Sequence, residues 1–536
     1  MRLRRNRALA WVAGAAIVVG GGVVATGALA GPADRRPAPA PPTFTPIGSY
    51  ATGLTGGTSG ETAAFAAGRL FVTNSTGNSL DIVDASDPAS PTLRTRIDLS
   101  PWGAGPNSVD VSRDLVAVAV EAAPKTDPGT VVFFTTKGRF VAAVPVGALP
   151  DMLTFTDDGD TLLVANEGEA SGYGTPDAVD PEGSASIIST RGLTSRRGPE
   201  VRTAGFAAFN AGAPRHRELP AGIRLNGPGA TVAQDLEPEY IAISEDRRTA
   251  RVTLQEANAV ATVDIRAARV TAITSLGAKD FSVPGAGLDP SDRDGGVHIA
   301  NWPVRGLYMP DAIAAFTVRG REYFITANEG DGRDWPGFAD EVRVNASSVV
   351  LDPTAFPDAA ALKANAALGL LTVSRTDGLG ADGEYEALYA FGARSASIWD
   401  ARGARVWDSG DAIERRVAAE VPAAFNVSND NNTPDDRSDN KGPEPEGVAV
   451  GEIDGRTYAF VGLERTGGFV SFDVTDPRSP TLVQWANNRD YTATPPGPDS
   501  GPEVVHFIDR RESPTRRPLV MVANEVSGTV TFYEAR

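Results

Sequence analysis

The feature that most constrains the fold is a unit that recurs along the chain. Each unit begins with a proline followed by an acid or amide, then an apolar strand pattern, a turn, a second β-rich run and an Asn/Glu corner. The openings are Pro106-Asn107, Pro150-Asp151, Pro238-Glu239, Pro310-Asp311, Pro445-Glu446 and Pro502-Glu503, and the corners lie at 162–169, 252–259, 323–332, 460–468 and 520–528. Period-two alternation with Gly, Asn and Asp turns indicates short antiparallel strands, and their repetition predicts four-stranded sheets around an axis.

This pattern predicts an all-β protein, a β-propeller with seven or eight blades. Units open near 62, 106, 150, 238, 310, 371, 445 and 502, and the unit near 371 is degenerate, so both blade numbers stay open. We expect residues 47–53 to supply an outer strand to the C-terminal blade and so close the ring. Long insertions at 170–230, 275–305, 330–370 and 425–444 should lie on one face, where repeat proteins commonly carry function.

The N-terminus has the layout of an export signal. Several arginines precede an uncharged apolar stretch that ends in Ala28-Leu29-Ala30, a small-x-small cleavage pattern. We expect a signal peptide at 1–30, a Pro-rich disordered spacer at 31–44 and one propeller domain at 45–536. The protein would then be secreted, without a transmembrane segment after cleavage; an uncleaved stretch would instead anchor it in the membrane.

Charge and cysteine content exclude several functions. The chain has 50 Lys and Arg against 68 Asp and Glu, a formal net charge of −18, which argues against binding to nucleic acid phosphates. It has no Cys and 3 His, so thiolate catalysis, disulfides and Cys-ligated zinc are excluded. We expect a monomer whose partners include metal ions.

Several long segments have a distinctive sequence: IANWPVRGLYMPDAIAAF (299–316), YFITANEGDGRDW (323–335), DDRSDNKGPEPEGVAVGEIDGRTYAFVGLERTGG (435–468), SGPEVVHFI (500–508) and SPTRRPLVMVANEVSGTVTFYE (513–534). These segments resemble the choice-of-anchor I family, bacterial secreted or surface propellers that are themselves similar to the mesenchyme-specific cell-surface glycoproteins of animals. The resemblance implies a propeller outside the cell. Some members are described as alkaline phosphatase-like, and many carry a C-terminal surface anchor that is not recognised here, so we expect free secretion.

The repeat places acids at fixed points of the propeller. Residues just before the first strand of a blade reach the mouth of the central channel, and the corner acids face the same mouth if the corners lie at that end. The acids concerned are Asp151, Glu167, Glu239, Glu256, Asp311, Glu329, Glu446, Glu464, Glu503 and Glu525. Carboxylates crowded together repel one another unless they are protonated or neutralised, and a hard divalent cation, calcium first, is the natural neutraliser. Alternatively, each acid accepts backbone hydrogen bonds or pairs with an arginine.

A second acid-rich segment lies in an insertion. Asp289, Asp292 and Asp294 in DPSDRDGG supply several oxygens before a Gly turn, which is similar to a calcium loop but lacks the spacing of an EF-hand. A solvated turn explains the same residues.

Basic residues near the acidic motifs suggest a second function. Arg305, Arg333, Lys441 and Arg465 could hold a phosphate ester beside a metal that activates water, which would make the protein a metal-dependent phosphoric ester hydrolase. Equally, these residues could only neutralise the acids. We therefore carry three hypotheses: a cation-binding propeller with an interaction or surface role, a metal-dependent phosphoesterase, and a non-enzymatic scaffold that binds carbohydrate, surface polymers or protein.

Overall fold

The computed structural model describes residues 40–56, 59–494 and 497–536, so the predicted signal peptide and residues 31–39 of the predicted spacer lie outside it. All the strands belong to the unit Pro42–Arg536. Among the described residues, no helix has both the length and the apolar character needed to cross a membrane.

Strands dominate the described chain. They are β1 Phe44–Ala51, β2 Ala63–Ala66, β3 Arg69–Asn74, β4 Ser79–Asp84, β5 Thr92–Asp98, β6 Gly105–Ser112, β7 Leu115–Glu121, β8 Pro128–Thr135, β9 Phe140–Ala148, β10 Pro150–Phe155, β11 Thr161–Asn166, β12 Ser184–Ser189, β13 Val201–Gly205, β14 Pro238–Ile243, β15 Thr249–Leu254, β16 Ala259–Asp264, β17 Arg269–Ser275, β18 Ala278–Asp280, β19 Arg305–Leu307, β20 Ile313–Val318, β21 Arg321–Asn328, β22 Asp334–Trp335, β23 Phe338–Ala339, β24 Glu341–Arg343, β25 Thr372–Ser374, β26 Tyr389–Ala390, β27 Ser395–Asp400, β28 Arg405–Asp408, β29 Pro445–Ile453, β30 Arg456–Leu463, β31 Phe469–Asp473, β32 Thr481–Ala486, β33 Pro502–Ile508, β34 Leu519–Asn524 and β35 Thr529–Ala535.

Within the described ranges these strands form seven four-stranded antiparallel sheets. Sheet 1 is β2-β3-β4-β5, sheet 2 β6-β7-β8-β9, sheet 3 β10-β11-β12-β13, sheet 4 β14-β15-β16-β17, sheet 5 β20-β21-β27-β28, sheet 6 β29-β30-β31-β32 and sheet 7 β33-β34-β35-β1. In sheet 7 the N-terminal strand β1 pairs with the C-terminal strand β35, in the place expected for the segment at 47–53.

The sheets pack face to face in sequence order. Apolar clusters join sheets 1 and 2, 2 and 3, 3 and 4, 4 and 5, 5 and 6, and 6 and 7. A further cluster joins sheet 7 to sheet 1 through Met521 and Phe532 against Phe65 and Val72. The middle strands are buried on both faces, which explains their continuous apolar runs. An outer strand such as β5, TLRTRID, is mostly exposed and charged, which discourages edge pairing with other chains.

The first strands of all seven sheets line one central channel. A cavity of about 290 Å³ lies between β2, β6, β10, β14, β20, β29 and β33. Sheets packed in sequence around a channel lined by their first strands define a β-propeller, as the repeat predicted.

The segment near 371 does not form a blade. It contributes β24, β25 and β26 to a five-stranded sheet of order β18-β19-β26-β25-β24, which is separate from the seven four-stranded sheets and is built from the connections between their strands. Its apolar residues have a cluster of their own, with Phe281, Leu351 and Val373 among its members. Strands β22 and β23 form a two-stranded sheet. The helices are short: α1 Val232–Asp235, α2 Ala359–Leu362 and α3 Ala412–Glu420, with 3-10 turns at Thr190–Gly192, Ala207–Phe209, His216–Glu218 and Pro422–Ala424.

The long insertions leave the blades at a common rim. In sheet 3, the start of β10 pairs with the end of β11 and the end of β11 with the start of β12. The same antiparallel order in sheets 4 and 5 puts the connections 276–312 and 329–394 at the end of the channel where the first strands begin. The rim that carries the prolines and acids is therefore also the rim covered by insertions.

Candidate metal centre at the channel mouth

A local irregularity follows the opening proline in the first strand of several blades. The pairing register shifts just after Pro106, Pro150, Pro238, Pro445 and Pro502. Proline has no N–H to donate to the ladder, and a bulge lets the next residue leave the pleat and point elsewhere. The acids that follow Pro150, Pro238, Pro445 and Pro502 are thus placed at the channel mouth by the repeat itself, whereas Pro106 is followed by an asparagine.

The corner acids reach the same rim from the second strands. Glu167, Glu329, Glu464 and Glu525 each follow the last residue of β11, β21, β30 and β34, the end that pairs with the start of the first or third strand. A buried asparagine holds some of these corners: Asn328 Nδ2 donates to Ser395 Oγ (3.2 Å) and to Ser397 Oγ (2.9 Å). A fixed corner leaves the following glutamate little freedom to turn away.

Nine of the ten acids predicted at the mouth line one cavity of about 300 Å³, and Glu256 is the exception. We call these nine the mouth acids. They are Asp151, Glu167, Glu239, Asp311, Glu329, Glu446, Glu464, Glu503 and Glu525. The lining is completed by Gln255, Asp331, Lys441 and Arg465. Asp151, Asp311 and Glu503 also line the channel cavity, so this second cavity is the mouth of the channel.

Burial and mutual repulsion disfavour the charged form of seven mouth acids. Burial, with nearby Glu169 and Glu256, raises the pKa of Asp151 to about 7. Burial and neighbouring carboxylates hold the pKa of six further mouth acids well above the usual range, namely Glu167, Glu239, Asp311, Glu446, Glu464 and Glu503. Without a cation, these groups hold protons at a pH where exposed carboxylates have lost them.

Two of these carboxylates have a buried oxygen without a hydrogen-bond partner among the described residues. Glu239 and Glu446 are 7% and 8% exposed, and Oε2 of each has no hydrogen-bond partner in the described structure. An unpaired buried carboxylate oxygen is costly unless a ligand satisfies it. These two atoms are therefore the clearest sign that the mouth accommodates something besides protein.

Lys441 neutralises part of the mouth. Its Nζ donates to Glu329 Oε1 (2.6 Å) and Asp331 Oδ1 (3.0 Å) and lies 3.5 Å from Glu444 Oε2. Although burial alone would raise the pKa of Glu444, Lys441 and two arginines lower it below its usual range. Lys441 thus contacts three carboxylates at once.

Arg465 is engaged in a similar way. Its Nε donates to Glu444 Oε2 (2.8 Å) and lies 3.2 Å from Glu464 Oε2, and Nη1 donates to Asn429 Oδ1 (2.6 Å). Asn429 Nδ2 donates in turn to Glu464 Oε1 (2.7 Å). Two cationic side chains therefore face ten carboxylates in the lining.

The other two basic candidates lie elsewhere. Arg305 is exposed in β19, where Nη1 donates to the Tyr389 hydroxyl (2.8 Å). The Arg333 side chain is 1% exposed and pairs with Asp235 (3.1 Å) and Glu237 (2.7 Å). Neither lines the mouth cavity, so the four-residue phosphate-binding group expected from the sequence is reduced to Lys441 and Arg465.

The aspartates of the 286–300 loop form a separate cluster outside the mouth lining. Asp289 is buried and accepts the backbone N–H of His298 and of Ser291 (3.4 Å). Asp294 contacts the His298 ring (3.0 Å), and Asp292 contacts Arg293 (3.3 Å). Burial, with neighbouring acids, raises the pKa of Asp289 to about 7. These contacts match the turn interpretation, and within the described ranges the three carboxylates do not form a group with the close spacing found at the mouth.

The repeat also identifies residues that the sequence analysis missed. Glu61 lines the channel one residue before Thr62, where the other units have the acid after proline, but Gly60 precedes it. In sheet 4 the corner position is held by Gln255, which donates to Glu329 Oε2 (2.7 Å). Glu256, the residue expected there, is not in the mouth lining.

Five mouth acids form two tight groups. The oxygens of Asp311, Glu446 and Glu503 lie within 4.8 Å of one another, and so do those of Glu329, Glu446 and Glu464. A third group, Asp352, Asp382 and Glu384, has the same spacing but lies outside the mouth lining. Its aspartates accept backbone N–H groups, as in ordinary turns.

The fold and this rim define the class: a β-propeller with an acid-lined channel mouth. A profile of the Choice-of-anchor I domain matches residues 62–477, and the chain therefore belongs to that family, as its resemblance predicted.

Two animal proteins are similar over part of their length. The chain is 30% identical over 332 residues to a mesenchyme-specific cell surface glycoprotein of Strongylocentrotus purpuratus, covering 54% of this chain and 42% of that protein. It is 31% identical over 190 residues to Gigasin-3a of Magallana gigas, covering 32% of this chain and 66% of that protein. The chain thus spans less than two thirds of each relative.

Solved structures with similar folds are distant in sequence. The β-propeller domain of Myceliophteria thermophila Cps50 (Swd1) aligns with a TM-score of 0.44 and 8% identity, covering 92% of this chain and 99% of that one. A streptogramin B lyase aligns with a TM-score of 0.43 and 7% identity, covering 91% and 97%.

Proposed function

We propose that this protein is an extracellular or surface propeller that binds divalent cations at its channel mouth. The observation that carries the proposal is the convergence of nine repeat-placed carboxylates on one cavity, with Oε2 of Glu239 and Glu446 buried and unpaired. Lys441 and Arg465 are too few to neutralise them. A bound cation supplies the missing charge and the missing partner at once.

The donor set favours a hard cation. The lining offers carboxylate oxygens and one amide, and neither His nor Cys is among its residues. Zinc and copper prefer nitrogen and sulfur ligands, whereas calcium takes 6–8 oxygens at about 2.3–2.6 Å in flexible geometry. Calcium is therefore the first candidate, and magnesium or manganese the next.

An extracellular location agrees with several features. One relative is named as a cell surface glycoprotein, the family is the choice-of-anchor I family, and the N-terminal residues have the pattern of an export signal. Extracellular modules can use calcium sites of modest affinity, about 10⁻⁴–10⁻³ M, because external calcium is abundant. The bound cations would order the rim and its insertions for contact with surface polymers or proteins.

The test is calcium titration of the mature protein after removal of metal with EDTA. We expect a binding heat and a higher melting temperature in the wild type, and a clear loss of both in Glu446→Gln. The matched control is Glu384→Gln, which alters an acidic group of the same spacing outside the mouth. Absence of calcium, magnesium and manganese binding, or equal binding in wild type and Glu446→Gln, would contradict the proposal.

A metal-dependent phosphoesterase is the second candidate, supported by Lys441 and Arg465 in the lining. Both side chains already contact Glu444, so a phosphate group would have to compete for them. Hydrolysis of p-nitrophenyl phosphate that EDTA abolishes and that Arg465→Gln reduces at least tenfold would establish this function. Calcium binding without such hydrolysis would support cation binding and not the esterase function. Polymer capture that survives EDTA would instead favour a scaffold whose acids are structural.

A further inference from the structure

The two tight groups of mouth acids share one residue. Glu446 belongs to the group with Asp311 and Glu503 and to the group with Glu329 and Glu464. A single carboxylate within reach of two oxygen clusters has the arrangement of a bridging ligand, with one cation on each side.

The two groups differ in their protein neighbours. Across residues 40–56, 59–494 and 497–536, the side chains of Asp311, Glu446 and Glu503 have no hydrogen bond or ion pair with a protein group. We call Asp311, Glu446 and Glu503 the inner group, because Asp311 and Glu503 also line the channel.

The other group, Glu329, Glu446 and Glu464, is the outer group. Lys441 contacts Glu329 (2.6 Å), Arg465 lies 3.2 Å from Glu464, and Asn429 donates to Glu464 (2.7 Å). Among the described residues, the inner group thus lacks a protein counter-charge in contact with it, and the outer group has two.

Charge favours two cations over one. The two groups contain five carboxylates in all. Lys441 and Arg465 contact both the outer group and Glu444, so these two cationic side chains face the five carboxylates and Glu444 together. One divalent cation leaves this set negative, whereas two bring it close to neutrality. Oε2 of Glu446, on a residue only 8% exposed, has no hydrogen-bond partner within the described ranges and is therefore available to a cation.

We propose that the mouth holds a pair of divalent cations bridged by the Glu446 carboxylate, one in the inner group and one in the outer group. This inference rests on the proposed function but goes beyond it, because a single cation would satisfy that function. The inner cation binds more tightly, since its ligands have no competing lysine or arginine.

Native mass spectrometry of the folded, metal-stripped protein titrated with Ca²⁺ counts the bound cations. The comparison is between the wild type, Glu446→Gln, the double variant Asp311→Asn/Glu464→Gln, and the control Glu384→Gln. Each change removes a repelled charge while keeping the side-chain size, and melting curves verify that each variant is folded. Counting the difference from wild type removes any contribution from the 286–300 loop.

We expect Glu446→Gln and the double variant each to bind two fewer calcium ions than the wild type, and Glu384→Gln to bind the same number. A loss of one ion in either variant overturns the paired site but leaves the proposed function standing. A loss of none contradicts the proposed function itself. If Glu446→Gln does not fold, the double variant alone decides between these outcomes.

Discussion

Replacing Glu446 by glutamine should have opposite effects on stability with and without calcium. In metal-free protein, the Glu446 carboxylate lies within 4.8 Å of oxygens of four other acids. Two unit charges at that distance repel by about 3.5 kcal/mol at an effective dielectric constant of ~20. Wild-type Glu446 avoids part of this repulsion by staying protonated. Keeping that proton costs ~1.4 kcal/mol of folding free energy for each pH unit above the usual pKa of a glutamate. We therefore expect metal-free Glu446→Gln at pH 8 to be more stable than the wild type by about 1–3 kcal/mol.

Calcium should reverse this order. Calcium at a hundred times its Kd stabilises the folded state by about 2.7 kcal/mol per site. Glu446→Gln loses this stabilisation because it lacks the carboxylate that binds the ion. For a domain of this size, an unfolding entropy of about 2 cal/mol/K per residue converts 1 kcal/mol into a shift of about 1 °C in Tm. The wild type should thus melt lower than Glu446→Gln in EDTA and higher than it in saturating calcium.

Differential scanning calorimetry in EDTA and in calcium, at the same pH and scan rate, shows which of the two proteins has the higher melting temperature under each condition. Glu384→Gln should track the wild type under both conditions. A variant that melts below the wild type by the same amount in EDTA and in calcium would refute the reasoning. That result would mean that the Glu446 carboxylate stabilises the fold through protein contacts.

Three further predictions concern groups in and around the mouth. Burial raises the pKa of Asp151 to about 7, so the metal-free fold loses stability as pH rises through 7. Because calcium competes with the proton for this carboxylate, calcium should raise Tm more at pH 8 than at pH 5.5. Equal Tm shifts at the two pH values would contradict this competition. Arg333→Met leaves Asp235 and Glu237 buried without their partner and should cost about 3–5 kcal/mol in urea unfolding while the calcium count stays constant; a loss below about 1 kcal/mol would contradict this role. Burial lowers the pKa of His506 to about 4, so the wild type should lose stability relative to His506→Gln as pH drops from 6.5 towards 4. A stability difference between the two that does not change with pH would exclude this contribution of His506.

The mouth acids could be located from the sequence because each has a fixed position in the repeat. An acid after Pro238 or Pro445 occupies the same place in its blade, since the same bulge follows both prolines. Glu61 was missed because glycine precedes it instead of proline. Glu256 was misplaced because Gln255 directly follows the end of β15, which shifts the corner by one residue.

The counter-charges could not be predicted in this way. Lys441 and Glu329 are 112 residues apart in sequence, and Lys441 lies in the insertion at 425–444, outside the recurring unit. Arg333 follows a corner of the repeat, yet it pairs with Asp235 and Glu237, just before another blade begins. Which partner an inserted charge finds depends on how the insertions fold over the rim, and the repeat carries no information about that.

The most direct test of the cation-binding mouth is a crystal structure of calcium-soaked protein with anomalous scattering measured at long wavelength. The proposal predicts anomalous peaks inside the ring of mouth acids, about 2.3–2.6 Å from carboxylate oxygens of Glu446 and its neighbours. Carboxylates joined to one another by shared protons or water, with no anomalous peak in the cavity at saturating calcium and pH 8, would contradict it.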